Sequence, residues 1–382
     1  MSYLICSTFR LNRVSFISLS CLFLISMLPF FYTSVLGFRL LPLFISVSFL
    51  LYFVHLAFYG SLRWKVSAFP SFALLILSLS LTVVSQDFDI FFSLTIFLCI
   101  FHISANLPED SLRSAVNLYL ASATVTSFIL ILQFVLFFVY GSEFARVKLY
   151  GGDRIAFSAL WMDFSHLSIF LCSALPFVRE GMSNRFFQAV VVVIILVGAF
   201  ITSARTGFFS LAIVFFVYFS VSALLALRRG RISKALLIYV FSFLTFSVLL
   251  FPLIASSGSR FLSLDNSGRF IGYHKAIEFF ADQPLFGSYL SVIKYQEYYP
   301  VIPHNMFIYT MVVGGLVLTL FYLLWLFWVL LSVNKASLNF ILPLFVCSAG
   351  LQAVPSVFSA YYFAILLGLA AVSSKKRRLF NS

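Results

Sequence analysis

The run "PHNMFIYTMVVGGLVLTLFYLLWLFWVLL", residues 303–331, contains no Asp, Glu, Lys or Arg. A helix needs about 20 apolar residues to cross the roughly 30 Å hydrocarbon layer of a bilayer, and this run exceeds that length. The same texture fills the chain. Of 382 residues, 62% are hydrophobic and 10% are charged, against about half and about a quarter in an ordinary soluble domain. The composition therefore predicts an all-α, polytopic integral membrane protein. No polar stretch is long enough for a second domain, so residues 1–382 read as one transmembrane domain.

Apolar windows of spanning length number about twelve: 14–36, 40–59, 69–85, 88–103, 114–140, 156–178, 187–203, 206–227, 235–254, 303–331, 338–355 and 356–373. The first follows Arg10 and Arg13 and continues through Val35 without a small-x-small cleavage site, so it reads as a retained span rather than a signal peptide.

The net charge of +13 is distributed over the short connections between apolar runs, which argues for membrane orientation rather than nucleic-acid binding. With the N-terminus inside, 16 of the 25 Lys and Arg fall on the inner side. The strongest anchors are "RRGRISK" (228–234) and "KKRR" (375–378). Both termini are then cytoplasmic. The five cysteines lie mostly inside apolar runs with no metal-type spacing, and imply no disulfide framework.

Seven of the nine remaining cations gather in two outer loops, 141–155 and 255–302. The second is the longest polar segment, and long loops without a purpose are uncommon. Its stretch "SGRFIGYHKAIEFFADQP" (267–284) reads as an amphipathic helix. Phe270, Tyr273, Ile277 and Phe280 would form its apolar face, and Arg269, His274, Lys275 and Glu278 would lie off that face. The plainest reading is a helix resting on the outer leaflet with its cations on lipid phosphate.

Other positions suggest chemistry. Arg205 in "TSARTGFF" stands at a tight outer turn where orientation predicts no cation, and ionisable groups at membrane depth are functional candidates. "PVIPHNMF" puts His304 and Asn305 at the outer mouth of the span opened above, and His titrates near neutrality. Arg154 ends the first basic loop in "YGGDRIAF". Asp163 and His166 share a helix face, and a polar contact between helices suffices to account for them. Several cations at one membrane face suit a diphosphate, because Arg bonds phosphate bidentately.

Three of these segments in order, "TSARTGF", "SGRFIGYHKAIEFFADQPLFGS" and "HNMFIYTMVVGGL", resemble the hallmarks of the O-antigen polymerase and ligase superfamily. The match covers about 202–316. The resemblance implies glycan transfer on the periplasmic face from an undecaprenyl diphosphate-linked oligosaccharide, without metal or other cofactor. It also implies a chain-length regulator as partner beside the membrane lipids. Carried over, Arg205 and Arg269 hold the diphosphate and His304 is the base. Arg154, Arg260, His274, Lys275, Glu278 and Asn305 join the donor site by charge and location, with Glu278 as the alternative base. A compact, Phe-rich chain favours the polymerase over the ligase. No Arg is followed eleven residues later by Gly, the spacing that marks paired outer loops in some polymerases.

Two other classes compete. Asp87 and Asp89 in "QDFD" resemble the loop carboxylates of metal-using polyprenyl-phosphate-sugar transferases. Twelve spans would also suit a flippase for the same lipid, although no internal repeat is visible.

Overall fold

In a computed structural model, the structure describes residues 68–105, 109–143, 147–150, 154–159, 164–178, 184–204, 269–303, 305–332 and 364–368, with scattered positions between 207 and 247. The described chain is mostly helical. Its elements are α1 (Ala68–Ser85), α2 (Asp89–Ala105), α3 (Glu109–Tyr140), β1 (Val147–Tyr150), β2 (Arg154–Phe157), α4 (Phe164–Ala174), α5 (Arg185–Ile201), α6 (Arg269–Asp282), α7 (Val292–Tyr298) and α8 (Met306–Ser332).

Two helices are long and apolar enough to cross a membrane, at Val116–Tyr140 and Met306–Leu331. Four shorter apolar helices accompany them, at Phe69–Ser85, Asp89–Ala105, Phe164–Ala174 and Arg185–Ile201. Both long helices turn an apolar stripe outward. On α3 it runs through Val125, Phe128, Leu132, Val135 and Val139, and on α8 through Leu316, Leu320, Leu324, Phe327 and Leu331, all exposed. These spacings of three and four trace one helix face. A soluble helix would turn that face inward, so the pattern suits helices solvated by hydrocarbon. The expected spans 14–36, 40–59 and 338–355 lie outside the described residues.

Helix pairing is mediated by small and polar residues. Gly198 of α5 lies against Ser127 of α3, where a Cβ would collide with the serine side chain, as expected where backbones approach closely. Tyr119 of α3 donates to the Phe170 carbonyl of α4 at 2.6 Å. Helices α1, α2 and α8 meet at Ser71, whose Oγ accepts from Trp325 Nε1 at 2.8 Å and lies 2.9 Å from His102 Nε2. At the opposite end of α1, Ser291 Oγ donates to Asp87 Oδ2 at 2.9 Å. The two connections that the sequence assigns to one side of the membrane, 86–88 and 255–302, are thus bonded to each other.

Three expectations need correction. The fold is not wholly α: β1 and β2 form an antiparallel hairpin in register Tyr150↔Arg154 to Val147↔Phe157. It folds onto α3, with Phe157 among Phe134, Phe137 and Phe138. The predicted span 156–178 therefore begins as strand. The buried Gln133 Oε1 of α3 accepts from Ala159 N–H at 2.9 Å, and the helix Phe164–Ala174 is followed by a 3₁₀ turn at Leu175–Phe177 with Pro176.

Thirdly, α6 does not simply rest on a leaflet. It packs against α8 and buries Gly272, Ala276 and Phe279, whereas Ile277 of the expected apolar face is 56% exposed. Gly272 lies beneath the Tyr299 ring and Val301. The face in contact with protein thus carries Gly272, Ala276 and Phe279, one position round the helix from the expected apolar face.

The run 303–331 forms the expected helix, but α8 is broken. Gly315 has φ +66° and ψ −168°, so the ladder is interrupted near its midpoint. The segment 284–290 fills the gap. Ser288 N–H donates to Val312 O (2.8 Å) and Leu290 N–H to Val313 O (2.6 Å), while Leu316 N–H donates to Pro284 O (2.8 Å) and Val317 N–H to Leu285 O (3.2 Å). Two carbonyls and two N–H groups freed by the break are satisfied. Both glycines at the contact are required. A Cβ on Gly315 would strike the Leu285 carbonyl, and one on Gly287 (φ +56°) would strike that of Val312.

Gly287→Ala should therefore cost the ~1–2 kcal/mol of a positive φ plus several clasp bonds of about 1 kcal/mol each. Gly141→Ala, also at positive φ but with open space around it, should show the first cost alone. Thermal unfolding of the two variants in detergent measures the difference, and equal losses would refute the clasp's contribution.

Candidate functional site

Helices α6 and α7 form a small layer over the start of α8. Ser291 caps α7 by accepting from Lys294 N–H at 3.2 Å while its hydroxyl reaches Asp87. Asp87 in turn accepts from Asp89 N–H at 3.3 Å and caps α2. Asp87 thus has two structural roles, which account for it without the metal-binding Asp-x-Asp reading. Among the described residues no group of three or more His, Cys, Asp or Glu side chains could hold a metal ion. Tyr289 (φ +54°) and Leu290 (φ +64°) follow Gly287 in left-handed conformations, uncommon for such residues. The bonds of Ser288 and Leu290 to α8 hold that backbone.

The layer is held by rings and one carboxylate. Phe279 lies edge-on to Tyr295 at 5.2 Å and tilted to Tyr298 at 5.4 Å. Glu278 receives two donors and faces a third polar group. Lys275 Nζ is 2.7 Å from Oε2, Tyr298 OH donates to Oε2 at 3.2 Å, and His274 Nδ1 is 3.4 Å from Oε1. The Lys275 hydrogen bond, ahead of its charge, holds the Glu278 carboxyl below its usual range, and the Glu278 hydrogen bond raises the Lys275 ammonium above its own. Burial pushes the Tyr295 phenol up to about 12, so it remains a neutral hydroxyl at any physiological pH.

Of the residues expected from the sequence, the structure brings His274, Lys275 and Glu278 together as one exposed cluster. Lys275 is engaged by Glu278 rather than standing ready for phosphate. Asn305 acts locally. Its Oδ1 accepts from Phe307 N–H (2.9 Å) and Ile308 N–H (3.1 Å), making it the N-cap of α8. Arg154 opens β2 and Arg269 opens α6. Arg205, Arg260, His304 and Asp163 lie outside the described residues, whereas His166 is buried within α4. Sequence reasoning missed Ser291, Lys294 and Tyr298. Ser291 was detectable as a capping Ser ahead of "VIKYQEY"; the Tyr298 contact, twenty residues from Glu278, had no local signal.

No protein-family model matches this chain, and no curated protein matches it.

The cluster sets a pH window. Glu278's lowered value means its contribution is present above the ordinary carboxyl pKa and lost as pH falls through the folded value. Lys275's raised value means its contribution is present below the ordinary lysine pKa and lost as pH rises through the folded value. The Lys275–Glu278 pair should thus support α6 between those limits, while the Tyr298 bond that ties α7 to α6 depends on the carboxylate side alone. In a Glu278→Gln variant, amide exchange over 292–299 should exceed wild type at pH 7 and approach it as pH falls through the folded Glu278 value. Equal exchange at pH 7 would show that the carboxylate does not tie the layer together.

Proposed function

We propose that this chain is a polytopic O-antigen polymerase, a membrane glycosyltransferase of about twelve spans with both termini cytoplasmic. It would join undecaprenyl diphosphate-linked repeat units on the periplasmic face. The observation that carries the reading is the clasp between segment 284–290 and α8. Through it, the helix opened by Arg269 and the span that follows His304 and Asn305 belong to one packed unit. The ordered trio of motifs supplies the chemical assignment.

Arg205 and Arg269 bind the diphosphate. Breakage of the bond between the anomeric carbon and the diphosphate oxygen leaves negative charge on a good leaving group, so the step calls for charge stabilisation more than for acid. Preorganised cations aimed at such charge are worth roughly 10²- to 10³-fold per donor. The acceptor hydroxyl loses its proton as it attacks, and His304 takes it, a step worth about 10²- to 10⁴-fold. Glu278 is a poorer base, since Lys275, Tyr298 and His274 already occupy its oxygens.

A broken helix is also a mark of transporters, where half-helix ends face a substrate cavity. In α8 the chain's own segment 284–290 occupies those ends, which favours an enzyme over a flippase.

Arg205→Ala, Arg269→Ala and His304→Ala should each leave the protein inserted and collapse long-chain polysaccharide on lipopolysaccharide gels. A core bearing a single repeat identifies a lost polymerase, and a bare core a lost ligase or flippase. Full-length ladders from all three variants would refute these assignments.

A further inference from the structure

The outer layer contains a second lysine in a different state from Lys275. Lys294 Nζ sits 4.6 Å from the centroid of the Tyr289 ring, within cation–π range. Tyr289 in turn stacks on Phe286 at 5.9 Å and 26°. Lys294 is exposed, and among the described residues it forms no ion pair, whereas Lys275 is bonded to Glu278. Of the two lysines in this layer, Lys294 is therefore the one without a carboxylate partner among the described residues.

Its position relative to the break in α8 suggests which anion. Leu285 O accepts from Val317 N–H and Pro284 O from Leu316 N–H, so Leu285 lies beside α8 about ten residues, or roughly 15 Å, below the helix start. Leu285 is 56% exposed, Phe286 37%, and Leu316 and Leu320 continue the exposed face of α8 by one turn. An apolar lane thus leads down α8 from the Phe286–Tyr289 stack, and the Lys294 ammonium lies at its upper end. Charge above and hydrocarbon below are complementary to an amphiphile with a phosphate head and a long apolar tail.

We propose that this lane seats the polyprenyl carrier of the donor, with a phosphate oxygen on Lys294 and the isoprenoid chain along Phe286, Leu285, Leu316 and Leu320. The assignment rests on the lipid-diphosphate reading above. Lys294 then joins the donor site in place of Lys275, whose charge is already satisfied by Glu278.

The test uses the full chain in nanodiscs, with native mass spectrometry counting retained undecaprenyl phosphate in competition with phosphatidylglycerol. Wild type should retain the polyprenyl phosphate preferentially. Loss of one charge-assisted contact in Lys294→Gln should lower that retention by about 10-fold, Phe286→Ala should lower it as well, and Lys275→Gln should leave it unchanged. Wild-type retention in Lys294→Gln would overturn the proposal, as would a parallel loss of phosphatidylglycerol, which would mark a general anionic-lipid contact. Failure of wild type to retain undecaprenyl phosphate at all would overturn the polymerase reading itself.

Discussion

Within hydrocarbon no water is available to satisfy a free backbone N–H or C=O, and each unsatisfied group costs several kcal/mol. That constraint governs the structure around α8. Once Gly315 interrupts the helix, the chain must provide two acceptors and two donors at that depth, and residues 284–290 provide them. The loop is therefore fixed to the interior of the span, with its neighbours α6 and α7 fixed to it in turn. Gly287 and Gly315 permit the close approach, and Pro284 contributes a carbonyl while ending α6 without an N–H of its own to satisfy. The two glycines and the proline act as one feature, although 28 residues separate Gly287 from Gly315 in sequence.

The charged groups of the layer formed by α6 and α7 divide by partner. Glu278 gathers Lys275, His274 and Tyr298 on one side of α6, and exposed pairs of this kind are individually weak. Tyr298 links α7 to α6, and Glu278 neutralises Lys275. Lys294 is held by an aromatic face instead of a carboxylate, so it keeps its full charge toward the surroundings. Net charge alone does not distinguish these two lysines.

Much of the scaffold is legible along the chain because hydrophobic length is a local property. The windows 69–85, 88–103 and 187–203 lie within two residues at either end of α1, α2 and α5, and the run 303–331 predicts α8 to within three. Asn305 before an apolar run is a capping signal that the structure realises, where sequence reasoning places it in the donor site. The hairpin at 147–157 was missed because eight short strand residues flanking "GGD" resemble any polar loop. The α6 face was misjudged because hydrophobicity predicts which side chains avoid water, whereas in this layer the packing partner is protein, and the face turned to it, with Gly272, Ala276 and Phe279, lies one position round the helix.

The amino-acid sequence by itself determined that this chain is helical and rich in spanning-length apolar segments, and that its polar chemistry gathers in a few connections. Those are consequences of residue type summed over short windows. Only the tertiary structure decided that α8 is broken and refilled from a loop, that Asp87 reaches Ser291, and which lysine is neutralised. Each of these depends on hydrogen bonds, close approaches or ring contacts whose geometry side-chain periodicity does not encode.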